Sequence, residues 1–306
     1  MRAVRIPSFA KINLRLDILG KRADQYHELR TIFQTVSLQD ELHLSGTKAP
    51  GVSLIIKGNE ALSREPVQKN LVYRAIDALQ EKLKTRTGVE VVLHKTIPAG
   101  GGLGGGSSNA AAAMLGYLRL TGRKLPLAML LELATSLGAD VPFFLFGGRA
   151  LGVNRGDEIY PLPGIAKIPL LIVVPREHRV PTPEAFQWVN APSLDAPALT
   201  KLVATPKLWE FCALSWSTQG TGLSNDFEEP VFQRHTRLAE IKRVLLQNGA
   251  AEASLAGSGS AVFGVFPSPA MARRAAVAFP HDQAFVCETV SRDRYQRALQ
   301  GARVVR

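Results

Sequence analysis

Residues 98–109 read Pro-Ala-Gly-Gly-Gly-Leu-Gly-Gly-Gly-Ser-Ser-Asn, and four alanines follow them directly. Glycine occupies six of the seven positions from 100 to 106. Because glycine has no Cβ atom, such a run turns sharply and leaves its backbone N–H groups bare. A helix that starts after the run adds its own free N–H groups and the positive end of its dipole. The stretch therefore predicts a loop that binds an anion, most often a phosphate, rather than a merely flexible connection.

Three familiar phosphate-binding loops do not fit this run. A Walker A loop needs a lysine after the glycines, and Ser107 stands there instead. Gly100, Gly102 and Gly105 satisfy G-x-G-x-x-G, but residues 117–126 hold no acid for a ribose hydroxyl, as a dinucleotide-binding fold requires. The V-A-I-K and H-R-D segments of protein kinases are also missing from the sequence. The loop therefore belongs to another class of phosphate site.

Hydrophobic periodicity predicts strands and helices on both sides of the loop. Residues 9–19 alternate apolar and polar side chains, which is typical of a half-buried strand. In the first half we also expect strands at 36–45, 51–58 and 89–97, mainly strands over 143–174, and helices at 70–84, 108–120 and 127–137. In the second half we expect a loop rich in Pro and Ser at 190–206, helices at 236–248 and 268–278, and strands at 251–256, 261–266 and 284–290. This order predicts an α+β fold with two domains, residues 1–155 and 156–306.

The 306-residue chain is basic, with 37 Lys and Arg against 26 Asp and Glu and a net charge of +11. This charge favours anionic partners but does not distinguish nucleic acids, membrane surfaces and phosphorylated metabolites. Hydrophobic residues make up 46% of the chain, which excludes a disordered protein. Cys212 and Cys287 form no CxxC pair, so a zinc ribbon is excluded and a reducing cytoplasm is expected. The sequence predicts neither a secretory signal nor a transmembrane helix.

Several polar residues are candidates for chemistry, although each also has an ordinary structural explanation. Lys11 and Asn13 lie on the polar face of the first predicted strand, where solvation is the simplest interpretation. Asp140 follows a predicted helix end and precedes an apolar run, so it is either a turn residue or a carboxylate with a particular partner. Tyr26 offers a flat ring and His27 a donor and an acceptor, which suit a nucleobase but also suit a core tyrosine and a surface histidine.

The glycine run resembles P-x-x-x-G-L-G-G-G-S-S, the ATP-phosphate motif of the GHMP kinases, which phosphorylate small molecules. Further segments resemble one branch of this family, in the expected order: FAKINL (9–14), KRADQYHELRTIFQ (21–34), GADVPFFLFGG (138–148), SNDFE (224–228) and LAGSGSAVFGVF (255–266). This branch phosphorylates 4-diphosphocytidyl-2-C-methyl-D-erythritol in the non-mevalonate isoprenoid pathway. The matching segments extend over most of the chain.

The resemblance implies the two-domain GHMP kinase fold. Its N-terminal, ATP-binding domain would be like ribosomal protein S5 domain 2, and its C-terminal, substrate-binding domain would be ferredoxin-like. The implied activity is that of a cytoplasmic kinase that transfers a phosphoryl group from ATP, accompanied by Mg²⁺, to the 2-hydroxyl of the diphosphocytidyl substrate. We therefore expect small-molecule partners only, with no nucleic acid, no membrane and no protein-bound metal, in a monomer or homodimer.

The resemblance also implies roles for individual residues. Asp140 matches the general base, and Lys11 matches the cation that pairs with this base near the acceptor hydroxyl. Tyr26 and His27 match positions that recognise cytosine, with Phe186 as the opposing aromatic and Asn13 and Thr182 as further substrate contacts. The ATP phosphates would be bound by the whole glycine run, namely Pro98, Ala99, Gly100, Gly101, Gly102, Leu103, Gly104, Gly105, Gly106, Ser107 and Ser108. The small-residue loop 257–260, otherwise a plausible tight hairpin, would close over the phosphates.

Two positions depart from the pattern of this branch. Gln25 stands where glycine is usual, and Asn109 stands where aspartate is usual. Asn109 removes a negative charge beside the phosphate loop, so this chain fills any role of that aspartate toward magnesium in another way.

Other functions stay open on the sequence alone. Another GHMP kinase, for a sugar, mevalonate or homoserine, would not need the Tyr-His pair in its Arg-Ala-Asp context. A basic nucleic-acid-binding module fits the net charge, but the basic residues are scattered and no aromatic-interleaved motif is present. A nicotinamide oxidoreductase lacks the ribose-binding acid.

Overall fold

The computed structural model describes residues 3–177, 179–194, 222–301 and 304–305. Cys212 and most of the predicted Pro- and Ser-rich loop lie outside these residues. Within them, no helix combines the length and the apolar character that crossing a membrane requires.

The first sheet has eight strands and is built around two long ones, β1 and β2. Its strands are β1 (Ala3–Lys21), β2 (His27–Gly46), β3 (Val52–Lys57), β4 (Val89–His94), β5 (Arg149–Val153), β6 (Glu158–Pro161), β8 (Ser224–Asn225) and β12 (Val304–Val305). The strand order is β12-β1-β2-β4-β3, while β5 pairs with β2 and β6, and β8 runs parallel to β1. The β1–β2 pairing extends from Ala3 opposite Ser45 to Lys21 opposite His27, with register shifts that bend both strands.

Helices cover one face of this sheet. They are α1 (Glu60–Ser63), α2 (Leu71–Lys82), α3 (Gly105–Thr121), α4 (Leu127–Leu137) and α5 (Phe143–Phe146). The alanines 110–113 are buried, and their small side chains let α3 lie close to the sheet. At Gly116 the approach is closer still, because a Cβ atom there would lie 2.8 Å from Leu44 Cδ1. The core of the first half therefore forms between α3 and strands β1, β2 and β4.

The second sheet has the strand order β11-β7-β10-β9, with all neighbours antiparallel. Its elements follow one another as β7 (Pro169–Val174), α8 (Thr236–Gln247), β9 (Glu252–Leu255), β10 (Val262–Val265), α9 (Pro269–Ala276) and β11 (Gln283–Glu288). This β-α-β-β-α-β succession is the ferredoxin-like arrangement that was expected. In the described part of the chain, three more helices lie outside it: α6 (Thr182–Trp188), α7 (Glu228–Arg234) and α10 (Arg292–Gln300).

Most predicted elements are observed, but β1 and β2 begin six and nine residues earlier than predicted, and helices α1, α6, α7 and α10 were not predicted. Two further differences lie near the loop. Helix α3 begins at Gly105, three residues earlier than predicted, so the glycine run continues into the first helical turn. Residues 143–146 form the short helix α5 and not a strand, because Pro142 starts a turn that ends at Gly147. Apolar runs of four residues do not distinguish a buried strand from a buried helical turn.

The two halves of the chain share a third core cluster. Ala10, Ile12 and Leu14 of β1 pack in it with residues of β7 and β10. The hairpin of β5 and β6 spans residue 155, and α10 packs against the core of the first half through Tyr295 and Leu299. The division of the chain at residue 155 stays a prediction.

Candidate active site

The glycine loop has three glycines in the left-handed region, where side chains with Cβ atoms are strained. The φ angles are 75° at Gly100, 74° at Gly102 and 68° at Gly104. Gly104 caps α3, and a Cβ atom there would lie 2.9 Å from Phe144 Cζ and 3.0 Å from Lys11 Cγ. A Cβ atom at Gly102 would lie 1.9 Å from the carbonyl oxygen of Ala256. The loop therefore needs glycine both for its turns and for the close approach of its neighbours.

Backbone hydrogen bonds hold the loop from both halves of the chain. The Lys11 N–H donates to the Leu103 carbonyl at 2.9 Å, and the Ala261 N–H donates to the Gly101 carbonyl at 3.1 Å. Among the described residues, no hydrogen bond uses the backbone N–H groups of residues 99–104. Because bare N–H groups beside a helix N-terminus attract anions, this arrangement fits the predicted phosphate site.

The two serines that follow the glycines face different surroundings. Ser107 lines a cleft of about 580 Å³, together with every residue from Pro98 to Gly106. Ser108 is buried and accepts a hydrogen bond of 2.8 Å from the Ser8 hydroxyl. Of the eleven residues expected to contact ATP phosphates, ten line this cleft, and Ser108 points into the protein.

Lys11 and Asp140 meet in the same cleft. Lys11 Nζ lies 3.4 Å from Asp140 Oδ2 and donates a 2.9 Å hydrogen bond to Asn13 Oδ1. The Asn13 amide donates in turn to the Thr31 hydroxyl at 2.7 Å. The Lys11 side chain is 5% exposed and that of Asp140 33% exposed, so the cation is buried while the carboxylate reaches the cleft.

The burial of Lys11 and Asn13 corrects one expectation from the sequence. From the pattern alone, solvation was the simplest interpretation of the polar face of β1, whereas the resemblance placed Lys11 beside Asp140; both residues are buried there. Lys11 also lies over the Phe33 ring, with its Nζ 5.3 Å from the ring centroid. A lysine this buried requires a negative partner, and Asp140 is that partner.

The loop 257–260 closes the cleft from the second half of the chain. Asn225 donates hydrogen bonds to the carbonyl oxygens of Leu255 and Gly257, at 2.8 and 2.7 Å, and so fixes the start of the loop. The hydroxyls of Ser258 and Thr182 lie 2.9 Å apart, which brings α6 to the cleft. Thr182 and Phe186 both line it, as expected for substrate contacts.

The aromatic residues expected to recognise cytosine are arranged differently from the expectation. His27, not Tyr26, stacks on Phe186, with ring centroids 4.7 Å apart and an angle of 20° between the rings. Tyr26 is 56% exposed, and the Arg155 guanidinium lies 4.8 Å from the centroid of its ring. The structure therefore does not place Tyr26 opposite Phe186. Burial and the nearby charge of Lys21 lower the pKa of His27, so this histidine is neutral at pH 7.

The turn before Tyr26 explains why glycine is usual at position 25. Gln25 has a φ of 69°, in the left-handed region. Asp24 accepts a hydrogen bond from the Tyr26 N–H at 3.1 Å, and the Arg22 N–H donates to the Tyr26 carbonyl at 2.8 Å. These two bonds close the turn and hold Gln25 in a conformation that glycine adopts without cost.

A buried polar network, which was not predicted from the sequence, lies behind the loop. Asp40, on β2, accepts from Lys95, from the backbone N–H groups of Thr96 and Ile97 at 2.6 and 2.8 Å, and from the Asn109 amide at 2.8 Å. Lys95 also donates to Asn109 Oδ1 at 3.2 Å. The signal was present, since Asp40 interrupts the buried alternation Leu38, Leu42, Leu44 on one face of β2.

Asn109 has a structural role in this network. Its amide donates to the Asp40 carboxylate and, at 2.8 Å, to the Ser8 hydroxyl, which an aspartate in the same position could not do. Asp40 therefore supplies the negative charge next to residue 109. In this chain position 109 serves as a hydrogen-bond donor.

Comparison with known proteins agrees with this geometry. Residues 70–148 match the family described as the GHMP kinases N terminal domain, and residues 208–282 match the GHMP kinases C terminal domain. The chain is 42% identical over 299 residues to the 4-diphosphocytidyl-2-C-methyl-D-erythritol kinase of Solibacter usitatus. This alignment covers 97% of this chain and 92% of that protein. It is 38% identical to the protein of the same name from Synechococcus, over 88% of this chain and 86% of that one.

Solved structures give the same result. A crystal structure of 4-(cytidine 5'-diphospho)-2C-methyl-D-erythritol kinase matches with a TM-score of 0.74 and 33% identity, over 93% of this chain and 98% of that chain. The homoserine kinase of Cytophaga hutchinsonii has a TM-score of 0.66 and 21% identity, over 98% and 97%, and shares the fold. On these matches, the chain belongs to the 4-diphosphocytidyl-2-C-methyl-D-erythritol kinase family of the GHMP kinases.

Proposed function

We propose that this protein transfers a phosphoryl group from ATP to the 2-hydroxyl of 4-diphosphocytidyl-2-C-methyl-D-erythritol, as a step of isoprenoid synthesis. The observation that carries the proposal is the meeting of the Lys11–Asp140 pair with the glycine loop in one cleft. The names of the relatives, which are 42% and 38% identical over most of the chain, support the substrate.

Asp140 acts as the general base in this proposal. Its carboxylate reaches the cleft, so it can accept the proton of the substrate hydroxyl when the oxygen attacks phosphorus. Lys11, at 3.4 Å, places a positive charge beside this carboxylate and stabilises the negative charge that develops on the oxygen. Asn13 and Thr31 hold the ammonium group in place through consecutive hydrogen bonds. This pre-organisation reduces the motion required at the moment of transfer.

The phosphates of ATP lie, in this proposal, over the glycine loop and the first turn of α3. The bare backbone N–H groups of the loop and the dipole of a 17-residue helix favour negative charge there. Ser107, at the cleft surface, offers a hydroxyl to the same phosphates or to their cation. We propose Mg²⁺ as the companion of ATP, where it would neutralise the charge of the transferred group.

The substrate is proposed to occupy the part of the cleft near α6. Asn13 and Thr182 provide polar groups near its sugar alcohol, and neutral His27 provides a donor and an acceptor for the edge of cytosine. Because His27 stacks on Phe186, the base must either lie beside this pair or separate the two rings. Tyr26, at the exposed rim, would then cover the bound base from outside.

A coupled assay of ADP release tests this function. The purified protein is supplied with Mg²⁺·ATP and, separately, with the diphosphocytidyl substrate, mevalonate, homoserine or galactose. We expect turnover with the first alone. Turnover with one of the others would assign the chain to a different GHMP activity. Absence of turnover with all four, together with salt-dependent binding of random RNA, would favour the nucleic-acid-binding alternative. The cytoplasmic location and the monomeric or dimeric state stay predictions.

A further inference from the structure

The proposed substrate carries two phosphates between its cytosine and its sugar alcohol. These phosphates are anionic at neutral pH, and moving them from water into a cleft is costly unless a cation or several donors receive them. Among the described residues, the cations that line the cleft are Lys11, Lys69, Lys95 and Arg155.

Three of these cations are paired with other groups or lie on the ATP side of the cleft. Lys11 is held by Asp140 and Asn13. Lys95 pairs with the buried Asp40 behind the glycine loop. Lys69 precedes α2, whose first residue approaches the glycine run, and so it belongs to the ATP side.

Arg155 is placed differently. It lies in the hairpin between β5 and β6, and its side chain is 31% exposed. Its Nε and Nη2 atoms donate to Asp157 Oδ2 at 3.1 and 2.7 Å, and Asp157 is nearly fully buried. Its Nη1 atom donates no hydrogen bond to any residue that the structure describes. The Asp24 carboxylate also faces this guanidinium but is already paired with Arg22 at 3.3 Å.

The position of Arg155 links the two ends of the substrate site. Together with Ala139, it lines both the cleft that contains Asp140 and a neighbouring groove of about 900 Å³ that contains Tyr26. Its guanidinium lies over the Tyr26 ring, at 4.8 Å from the centroid. A substrate that extends from the aromatic residues to Asp140 therefore passes this side chain.

We propose that Arg155 binds the diphosphate of the substrate, with Asp157 and Tyr26 holding the guanidinium in the required orientation. This inference rests on the proposed function and adds to it the residue that binds the diphosphate between the cytidine and the sugar alcohol. A guanidinium suits the task, because its planar fork can keep two N–H groups on one carboxylate and direct the others to a phosphate oxygen. The cation on the Tyr26 ring also couples the anion to an aromatic residue next to the base.

Binding of cytidine and of cytidine diphosphate, compared by titration calorimetry, isolates the contribution of the phosphates. We expect the wild type to prefer the diphosphate, and Arg155→Gln to reduce this preference about ten- to a hundredfold, the equivalent of one charge-assisted hydrogen bond. The affinity for cytidine and the KM for ATP should stay within about twofold. Arg155→Lys keeps the positive charge beside Asp157 and should retain part of the preference.

Arg243→Gln is the matched control, since it removes the same charge from an exposed position on α8. It should leave the preference unchanged. An equal loss in both arginine variants would mean that only the net charge attracts the diphosphate. An equal loss of affinity for cytidine and for the diphosphate in Arg155→Gln would mean that Arg155 only supports Tyr26.

Either of those results overturns the inference, and so does a folded Arg155→Gln variant that keeps the wild-type preference. The proposed function fails separately, if the wild type does not phosphorylate the diphosphocytidyl substrate. An active wild type whose preference does not depend on Arg155 leaves the function standing and removes only this inference.

Discussion

The two sides of the cleft are constructed in different ways. The phosphate side, formed by residues 98–108 with Lys11 and Asp140, is held by backbone hydrogen bonds and by glycines, of which Gly100, Gly102, Gly104 and Gly105 could not be replaced without strain or collision. The base side, formed by residues 22–27 with Arg155 and Phe186, combines a backbone-closed turn with ring and guanidinium contacts between side chains, and its Tyr26 is 56% exposed. In the proposed function, phosphoryl transfer takes place on the side that glycines and backbone hydrogen bonds shape, and base recognition on the side with an exposed aromatic ring.

The largest effect is expected from substitutions of Asp140 and Lys11, at the centre of the phosphate side. Asp140→Asn preserves shape and hydrogen bonding but cannot accept a proton, so kcat should fall by roughly 10²–10⁴ with little change in either KM. Lys11→Met should also lower kcat, because the carboxylate and the acceptor oxygen lose their cation. Steady-state kinetics of both single variants and of the double variant measure these losses.

The double variant should be far less impaired than the product of the two single losses, because both residues serve one proton transfer. Losses that multiply would mean that the two residues act independently. Near-normal kcat in Asp140→Asn would reduce Asp140 to a turn residue, and the proposed mechanism would be wrong.

The next prediction tests whether close packing, and not only backbone conformation, shapes the loop. Gly104→Ala would force the Phe144 ring and the Lys11 stem to move, since the new Cβ would lie within 3.0 Å of both. We expect affinity for ATP to fall about tenfold or more, as for a small-to-large change of 1–3 kcal/mol. Gly100→Ala is the matched variant, because its φ is also left-handed but no atom lies within 4 Å of the new Cβ. Equal losses in the two variants, measured by nucleotide titration, would contradict the role of packing.

The third prediction concerns the network behind the phosphate side. Asn109→Asp would place a carboxylate 2.8 Å from that of Asp40, and the free energy of unfolding should fall by about 1–3 kcal/mol at pH 7 without magnesium. Below about pH 5 the deficit should shrink, because one carboxylate takes up a proton and the repulsion ends.

Asn109→Ala is the control for this experiment. It removes the same hydrogen bonds without adding charge, so its deficit should not depend on pH in this range. Denaturant unfolding at pH 7 and at pH 4.5 measures both variants. An aspartate variant as stable as the wild type at pH 7 would show that residue 109 tolerates the charge.

The smallest expected effect lies on the base side. Gln25→Gly should raise the free energy of unfolding by up to about 1 kcal/mol, because it removes a left-handed strain of roughly 1–2 kcal/mol at the entropic cost of a glycine. Ala23→Gly, in the same turn but without a positive φ, should be neutral or destabilising. Thermal unfolding measures the stability of the two variants. A stabilised Ala23→Gly with an unchanged Gln25→Gly would contradict the assignment of the strain to position 25.

Much of the fold and of the phosphate side could be predicted, because their signals are local in sequence. The glycine run and the alternation of β1 each lie within one short stretch of consecutive residues. Long, strongly periodic segments such as α4 were predicted with correct bounds, Leu127–Leu137.

The remainder depended on contacts between distant segments. The partner of Asn109 is Asp40, 69 positions away, and no local pattern indicates that pairing. The stacking of His27 on Phe186 likewise joins the β1–β2 turn to α6. His27 therefore occupies the position opposite Phe186 that was expected for Tyr26. The alternation of β1 alone did not indicate the burial of Lys11, since the surface that covers it comes from the glycine loop and residues 139–144.

Helix α10 ends on the wall behind Asp140. The Tyr295 hydroxyl donates to the Phe144 carbonyl, 151 positions earlier in the chain, and its ring packs directly over Gly147. At about 5–20 residues per second, a ribosome needs about 8–30 s to synthesise the intervening segment. During that interval α5 lacks its contact with Tyr295, and the cleft lacks the loop 257–260 that closes it. The cleft is therefore completed late in synthesis, although Lys11, Asp140 and the glycine loop all belong to the first half of the chain.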